Sequence, residues 1–196
     1  VSTVPPDAVL LHIGPPKTGS TAIQNALNAH REELARHGVR YAGSGYRPAE
    51  ASWAVLGIGP AVGRRAPRIE AWQEIVDEVH AHPDVRICVS SEDFARATPE
   101  AAARVVGDLG ADRVHLVHVV RKLDRLLPSL WQERVKARLA LPFEEWLDVV
   151  LQDDSDRFEW RNLWRPHDVT GILERWGAWS RGSGSPWSAA TTATGP

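Results

Sequence analysis

The stretch that decides the fold is Val9-Leu10-Leu11-His12-Ile13-Gly14-Pro15-Pro16-Lys17-Thr18-Gly19-Ser20-Thr21. Its apolar half, 9–13, reads as a buried strand. Gly14 to Gly19, with two prolines, cannot continue regular structure and reads as a loop. Thr18 or Ser20 is expected to cap the helix that follows. That helix puts Ile23, Ala26, Leu27 and Leu34 on one face and ends near Gly38. Strand, glycine-bearing loop and helix in this order aim backbone N–H groups and a helix dipole at an anion.

Working outward, 42–66 is rich in Gly, Pro and Ala and reads as an irregular excursion with a short helix near 51–56. Ala66–His80 carries Ile69, Trp72, Ile75, Val76 and Val79 at helical spacing. Val85–Val89 is the second expected strand and runs into Ser90-Ser91-Glu92-Asp93. Thr98-Pro99-Glu100 opens a helix that ends at Gly110. Val114–Val120 is the third expected strand and ends at Arg121. Helices are expected from there to about Arg138, over Pro142–Leu151 and over His167–Trp176. Strands separated by helices imply an α/β fold: a P-loop-like, three-layer α/β/α arrangement around a central parallel sheet. Ligands in such sheets bind beyond the carboxyl ends of the strands. The loop 14–21, residues 90–93 and Arg121 all fall there.

The chain has 196 residues, a net charge of −2, 43% hydrophobic and 24% charged residues, values ordinary for a globular domain. The near-neutral balance speaks against a nucleic-acid partner, and no apolar run is long enough to span a bilayer. One cysteine, Cys88, excludes a disulfide framework and a multi-cysteine metal site; with no signal-like N-terminus, a cytoplasmic setting is expected. His115 and His118 fall on opposite faces of a strand, so no shared metal is expected of them. Arginines number 20 and lysines only 3, which draws attention to Lys17.

Composition shifts abruptly at Trp179. Residues 1–178 are read as one nucleotide-binding α/β domain and 179–196 as a low-complexity tail, disordered or out of frame. Back-translated with GC-rich codons and moved by one base, Trp179–Ser188 reads as a helix end, a glycine turn and a strand. A domain truncated at its C-terminal end is therefore expected.

Gly14 to Thr21 nearly matches the phosphate loop G-x-x-x-x-G-K-[ST], with serine at position 20 and the lysine moved to 17. Pro16-Lys17-Thr18-Gly19-Ser20-Thr21 resembles the 5′-phosphosulfate loop of sulfotransferases, which use 3′-phosphoadenosine 5′-phosphosulfate. That family carries a second motif, an arginine at a strand end and a serine eight positions on. Arg121 and Ser129 match it, and Trp131 to Lys136 matches a stretch beyond it. The resemblance covers roughly 8–178 and looks most like the bacterial sulfotransferase-like proteins. The chain departs from the family's Arg-Asp-Pro with Arg121-Lys122-Leu123.

The resemblance implies sulfuryl transfer from 3′-phosphoadenosine 5′-phosphosulfate to a hydroxyl or amine of a small-molecule or carbohydrate acceptor, without a metal. Lys17 would neutralise the leaving 5′-phosphate. Pro16, Thr18, Gly19, Ser20 and Thr21 would complete its cradle, and Arg121 with Ser129 would grip the 3′-phosphate. Glu92 is the candidate base and Asp93 the reserve; a capping or solvated carboxylate is the equally weighted alternative. Arg125, Arg134 and Arg138 are read as a solvated helix face, with contact to an anionic acceptor as the alternative, and most tryptophans as core, one or two of them able to line an acceptor pocket. The alternative functions are a P-loop nucleotide kinase and a truncated, non-catalytic nucleotide-binding relic.

Overall fold

The structure, a computed structural model, describes residues 4–61, 63–138, 140–152 and 154–177. The tail expected from 179 lies outside the described residues, and so does any test of its reading frame.

Among the described residues four strands form one all-parallel sheet: β1 (Val9–His12), β2 (Val39–Tyr41), β3 (Arg86–Ser90) and β4 (Val114–Val117), in the order β2-β3-β1-β4. Helices flank it: α1 (Ser20–Ala29), α2 (Arg31–Arg36), α3 (Ala49–Leu56), α4 (Glu70–His80), α5 (Pro99–Leu109), α6 (Leu123–Lys136), α7 (Phe143–Leu151), α8 (Phe158–His167) and α9 (Val169–Gly177). The chain is therefore α/β with a parallel sheet, as its alternation of apolar runs and amphipathic segments requires. β1 is central because Val9, Leu11 and Ile13 are all fully buried.

Strand order places the site. The connection leaving β1 runs toward β2 on one side, and the connection leaving β3 runs toward β4 on the other. The carboxyl ends of β1 and β3 therefore flank a switch point, where a parallel sheet opens a crevice.

Two apolar clusters hold the molecule. The larger packs the sheet against α3, α4, α5 and α9, with Trp72, Val79, Phe94, Leu109 and Trp176 completely or almost completely buried. The smaller joins α6, α7 and α8 through Leu126, Leu130, Trp146, Val150 and Leu163. α5 follows its sequence pattern closely; α4 begins at Glu70 rather than Ala66, so Ile69 precedes it and is exposed, while Trp72, Ile75, Val76 and Val79 are buried as expected. Thr98 caps α5 by accepting from the N–H of Ala101 at 3.2 Å, with Pro99 in the first turn.

Several expectations are corrected. Strand β2 and helix α8 are present where none was expected. The first helix breaks at His30 into α1 and α2. The last strand ends at Val117 rather than Val120. Neither Thr18 nor Ser20 caps α1: the cap position is Gly19, at φ 100°, with no side-chain cap bond. The face of α1 expected to be buried is not. Ile23 and Ala26 are exposed, and the buried residues are Ser20 and Gln24.

Candidate phosphate-binding site

Residues 14–19 turn sharply between β1 and α1. Gly14 sits at φ 84°, and a Cβ there would lie 2.7 Å from the Cα of Glu92. Only glycine lets the end of β1 come this close to the segment after β3. Lys17 holds φ 66°, a left-handed conformation that costs a non-glycine residue about 1–2 kcal/mol. The guanidinium of Arg121 fixes it there: Nη1 donates to the Lys17 carbonyl at 2.8 Å. Among the described residues, the N–H groups of Lys17 to Thr21 donate to no carbonyl or side chain. Unpaired N–H groups at a helix N-terminus can take an anion. The hydroxyls of Thr18 and Ser20 instead donate to the Pro15 carbonyl, at 2.6 and 3.2 Å. They brace the turn in this state.

A buried polar triad ties this turn to the sheet. His12 Nδ1 lies 2.7 Å from Ser90 Oγ, and Gln24 Nε2 donates to the same oxygen at 3.2 Å. Gln24 and Ser90 are fully buried and His12 nearly so. The helix that carries the loop is thus pinned to both β1 and β3. Burial, helped by the nearby His118, lowers the His12 pKa to about 4. From the far side, His167 at the end of α8 sets Nε2 3.0 Å from the Pro16 carbonyl and Nδ1 2.6 Å from that of Leu163. A neutral imidazole donates to only one of them. Burial holds its pKa below the usual histidine range.

A 3-10 turn, Glu92–Arg96, leaves β3 beside the loop. Its anchor is Phe94, fully buried between Trp72 and Trp176, with edge-on ring centroids at 6.1 and 6.4 Å. Ser91 caps the turn and donates to Ser52 Oγ at 2.9 Å. Ser90 and Ser91 are therefore interior residues and do not reach the cavity. Glu92 does. Burial raises its pKa, opposed first by Arg47, whose Nη1 donates to Glu92 Oε1 at 3.2 Å. Asp93 is held harder: Trp53 Nε1 donates to Oδ2 at 2.9 Å, and Arg47 lies 3.6 Å away.

All this converges on one cavity of about 650 Å³. Pro16, Lys17, Gly19, Ser20, Thr21, Glu92, Asp93, Arg121 and Ser129 all line it. Of the expected site residues only Thr18 stands apart, facing a smaller cavity beside His118 and Trp164. The volume falls in the range that takes a nucleotide-sized ligand.

Four further lining residues were not anticipated, Arg96, Leu130, Glu133 and Asn162, and Arg134 lines the cavity beside them. Arg134 corrects the expectation of a solvated helix face. It forms a two-pronged pair with Glu159 at 2.6 and 2.9 Å, and Trp146 Nε1 donates to the same carboxylate at 3.1 Å. This knot joins α6, α7 and α8. Glu133 follows Ser129 by one helical turn, a spacing that could have flagged it. Asn162 lies on α8, whose short stripe of Trp160, Leu163 and Trp164 could have marked the helix. Lys17 Nζ meets Glu133 Oε1 at 3.0 Å.

No family model matches the chain, and no curated protein or solved structure is found similar to it.

Proposed function

We propose that this cavity binds 3′-phosphoadenosine 5′-phosphosulfate and that the chain is a sulfotransferase with a P-loop-like site. The observation that carries this is the meeting of two separate phosphate grips, Lys17 with its loop and Arg121 with Ser129, in one cavity that also holds a carboxylate, Glu92.

Each residue then has a task its chemistry suits. The open N–H groups of the loop and Lys17 hold the 5′-phosphate. Arg121 has donors left beyond the one spent on the Lys17 carbonyl, and these and the Ser129 hydroxyl take the 3′-phosphate. The acceptor hydroxyl or amine attacks sulfur in line with the bridging oxygen. The S–O bond to the 5′-phosphate breaks, and the electron pair stays on the departing phosphate. Lys17 offsets that growing charge. The acceptor's proton passes to Glu92, whose raised pKa makes it a stronger base than an ordinary carboxylate. The acceptor is a small molecule or a carbohydrate.

Calorimetric titration with adenosine 3′,5′-bisphosphate, with ATP–Mg²⁺ as comparison, tests this. The proposal predicts binding of the bisphosphate in preference to ATP–Mg²⁺. Preference for ATP–Mg²⁺ would instead indicate a nucleotide kinase, and no binding by the folded chain a non-catalytic relic.

A further inference from the structure

The lysine assigned to the leaving phosphate is already occupied. Lys17 Nζ donates to Glu133 Oε1 at 3.0 Å, across 116 residues of sequence. The same oxygen accepts from Lys136 Nζ at 2.8 Å. Two ammonium groups thus share one carboxylate oxygen, and together, Lys136 first, they hold the Glu133 pKa below the usual carboxylate range. Ser129, Glu133 and Lys136 stand at i, i+4 and i+7 on α6, so one helix face carries all three. The backbone of Lys17 is fixed by Arg121, while its side chain reaches across the cavity to the opposite wall.

From this we infer that Glu133 is a displaceable internal anion of the Lys17 subsite, and thereby a specificity residue. In the empty cavity it neutralises Lys17. A ligand that places a phosphate on Lys17 must displace the carboxylate, which stays behind on Lys136. The number of ion pairs is conserved in that exchange only if the incoming group is an anion. A neutral group offered to Lys17 loses an ion pair and gains none, so this subsite selects for negative charge. The identity of the ligand rests on the proposed function; the exchange itself does not.

Calorimetry on the whole chain tests it with three probes: adenosine 3′,5′-bisphosphate, adenosine 3′-phosphate and inorganic pyrophosphate. Thermal unfolding is run beside it to show that each variant is folded. Glu133→Gln should tighten the bisphosphate and pyrophosphate by about 3- to 5-fold, the size of one partly exposed ion pair. It should leave adenosine 3′-phosphate, which has no group for Lys17, within about 2-fold. Lys136→Ala should weaken the bisphosphate in the native background and do nothing when Glu133→Gln is also present. Adding Lys17→Ala should abolish the gain from Glu133→Gln.

A gain that survives Lys17→Ala, or one equally large for adenosine 3′-phosphate, would show a long-range charge effect and overturn the exchange. No gain with either the bisphosphate or pyrophosphate would overturn it too. A chain that binds pyrophosphate with the expected gain, yet refuses every nucleotide, would refute the nucleotide reading and leave the exchange standing.

Discussion

Residues 14–21 make one wall of the cavity from consecutive backbone; α6 and α8 make the other from side chains that converge from distant parts of the chain. The first wall is braced from beneath by the His12–Ser90–Gln24 triad and fixed by Gly14 against Glu92. The second belongs to the smaller apolar cluster and is held by the Arg134–Glu159–Trp146 knot. The loop wall offers N–H groups, which keep their charge distribution under all conditions. The helical wall offers ionised side chains, which exchange partners. One wall suits the fixed recognition of a phosphate, and the other suits selection and release.

The sharpest way to break this contrast is at its meeting point. Lys17→Ala should lower kcat/KM for transfer by about 10³-fold, near the upper end for losing one charge-stabilising donor, with the fold retained. Near-normal turnover would remove its assigned role.

A second prediction concerns the bracing under the loop. The His12 pKa falls from 6.5 to about 4 on folding. Its contribution is fully present above pH 6.5 and is lost as the pH drops toward 4, because the unfolded chain then takes up a proton that the folded chain refuses. The loss amounts to about 3 kcal/mol. Denaturant unfolding at pH 7 and pH 4.5 should show His12→Asn losing less stability on acidification than the native chain. An unchanged difference would mean that His12 is not neutral in the folded state.

Glu92→Gln should spare bisphosphate binding and lower kcat by about 10²-fold. In the native chain, activity should fall with decreasing pH through a group titrating above the ordinary glutamate value, since the base must be ionised and its pKa is raised. Unchanged rates would move the base to another residue. The smallest effect is expected on the helical wall: Ser129→Ala should weaken the bisphosphate by about 2- to 10-fold, the value of one hydrogen bond, as read by calorimetry.

The two walls also differ in how far the sequence alone revealed them. The loop wall was legible because its signals are local: an apolar run, a glycine turn and a lysine within thirteen residues. Its supports were not. Gln24 is buried because its partner Ser90 lies 66 residues away, so the apolar periodicity of α1 pointed to the wrong face. Thr18 and Ser20 looked like caps or ligand contacts, but the Pro15 carbonyl claims both.

Of the helical wall only Ser129 was assigned to the site; Arg121 lies just ahead of α6, and Arg134 was read mainly as a solvated face. Helix α8 has a proline near its end and buries only Leu163 and that proline, Pro166. Its stripe, Trp160, Leu163 and Trp164, is short and interleaved with arginines, so the helix was not read, and with it Asn162 and His167 went unseen as site residues. Strand β2 is three residues long at the sheet edge, with an arginine in its middle, too short for alternation to register.

If two phosphate grips serve one ligand, each phosphate of that ligand adds to its affinity. Titrating the native chain with adenosine 3′,5′-bisphosphate, adenosine 5′-phosphate and adenosine 3′-phosphate measures it directly. The two-grip cavity predicts the bisphosphate to bind at least about 10-fold tighter than either monophosphate, one charge-assisted contact being lost with each. Equal affinity for the bisphosphate and adenosine 5′-phosphate would contradict it, because Arg121 and Ser129 would then hold nothing.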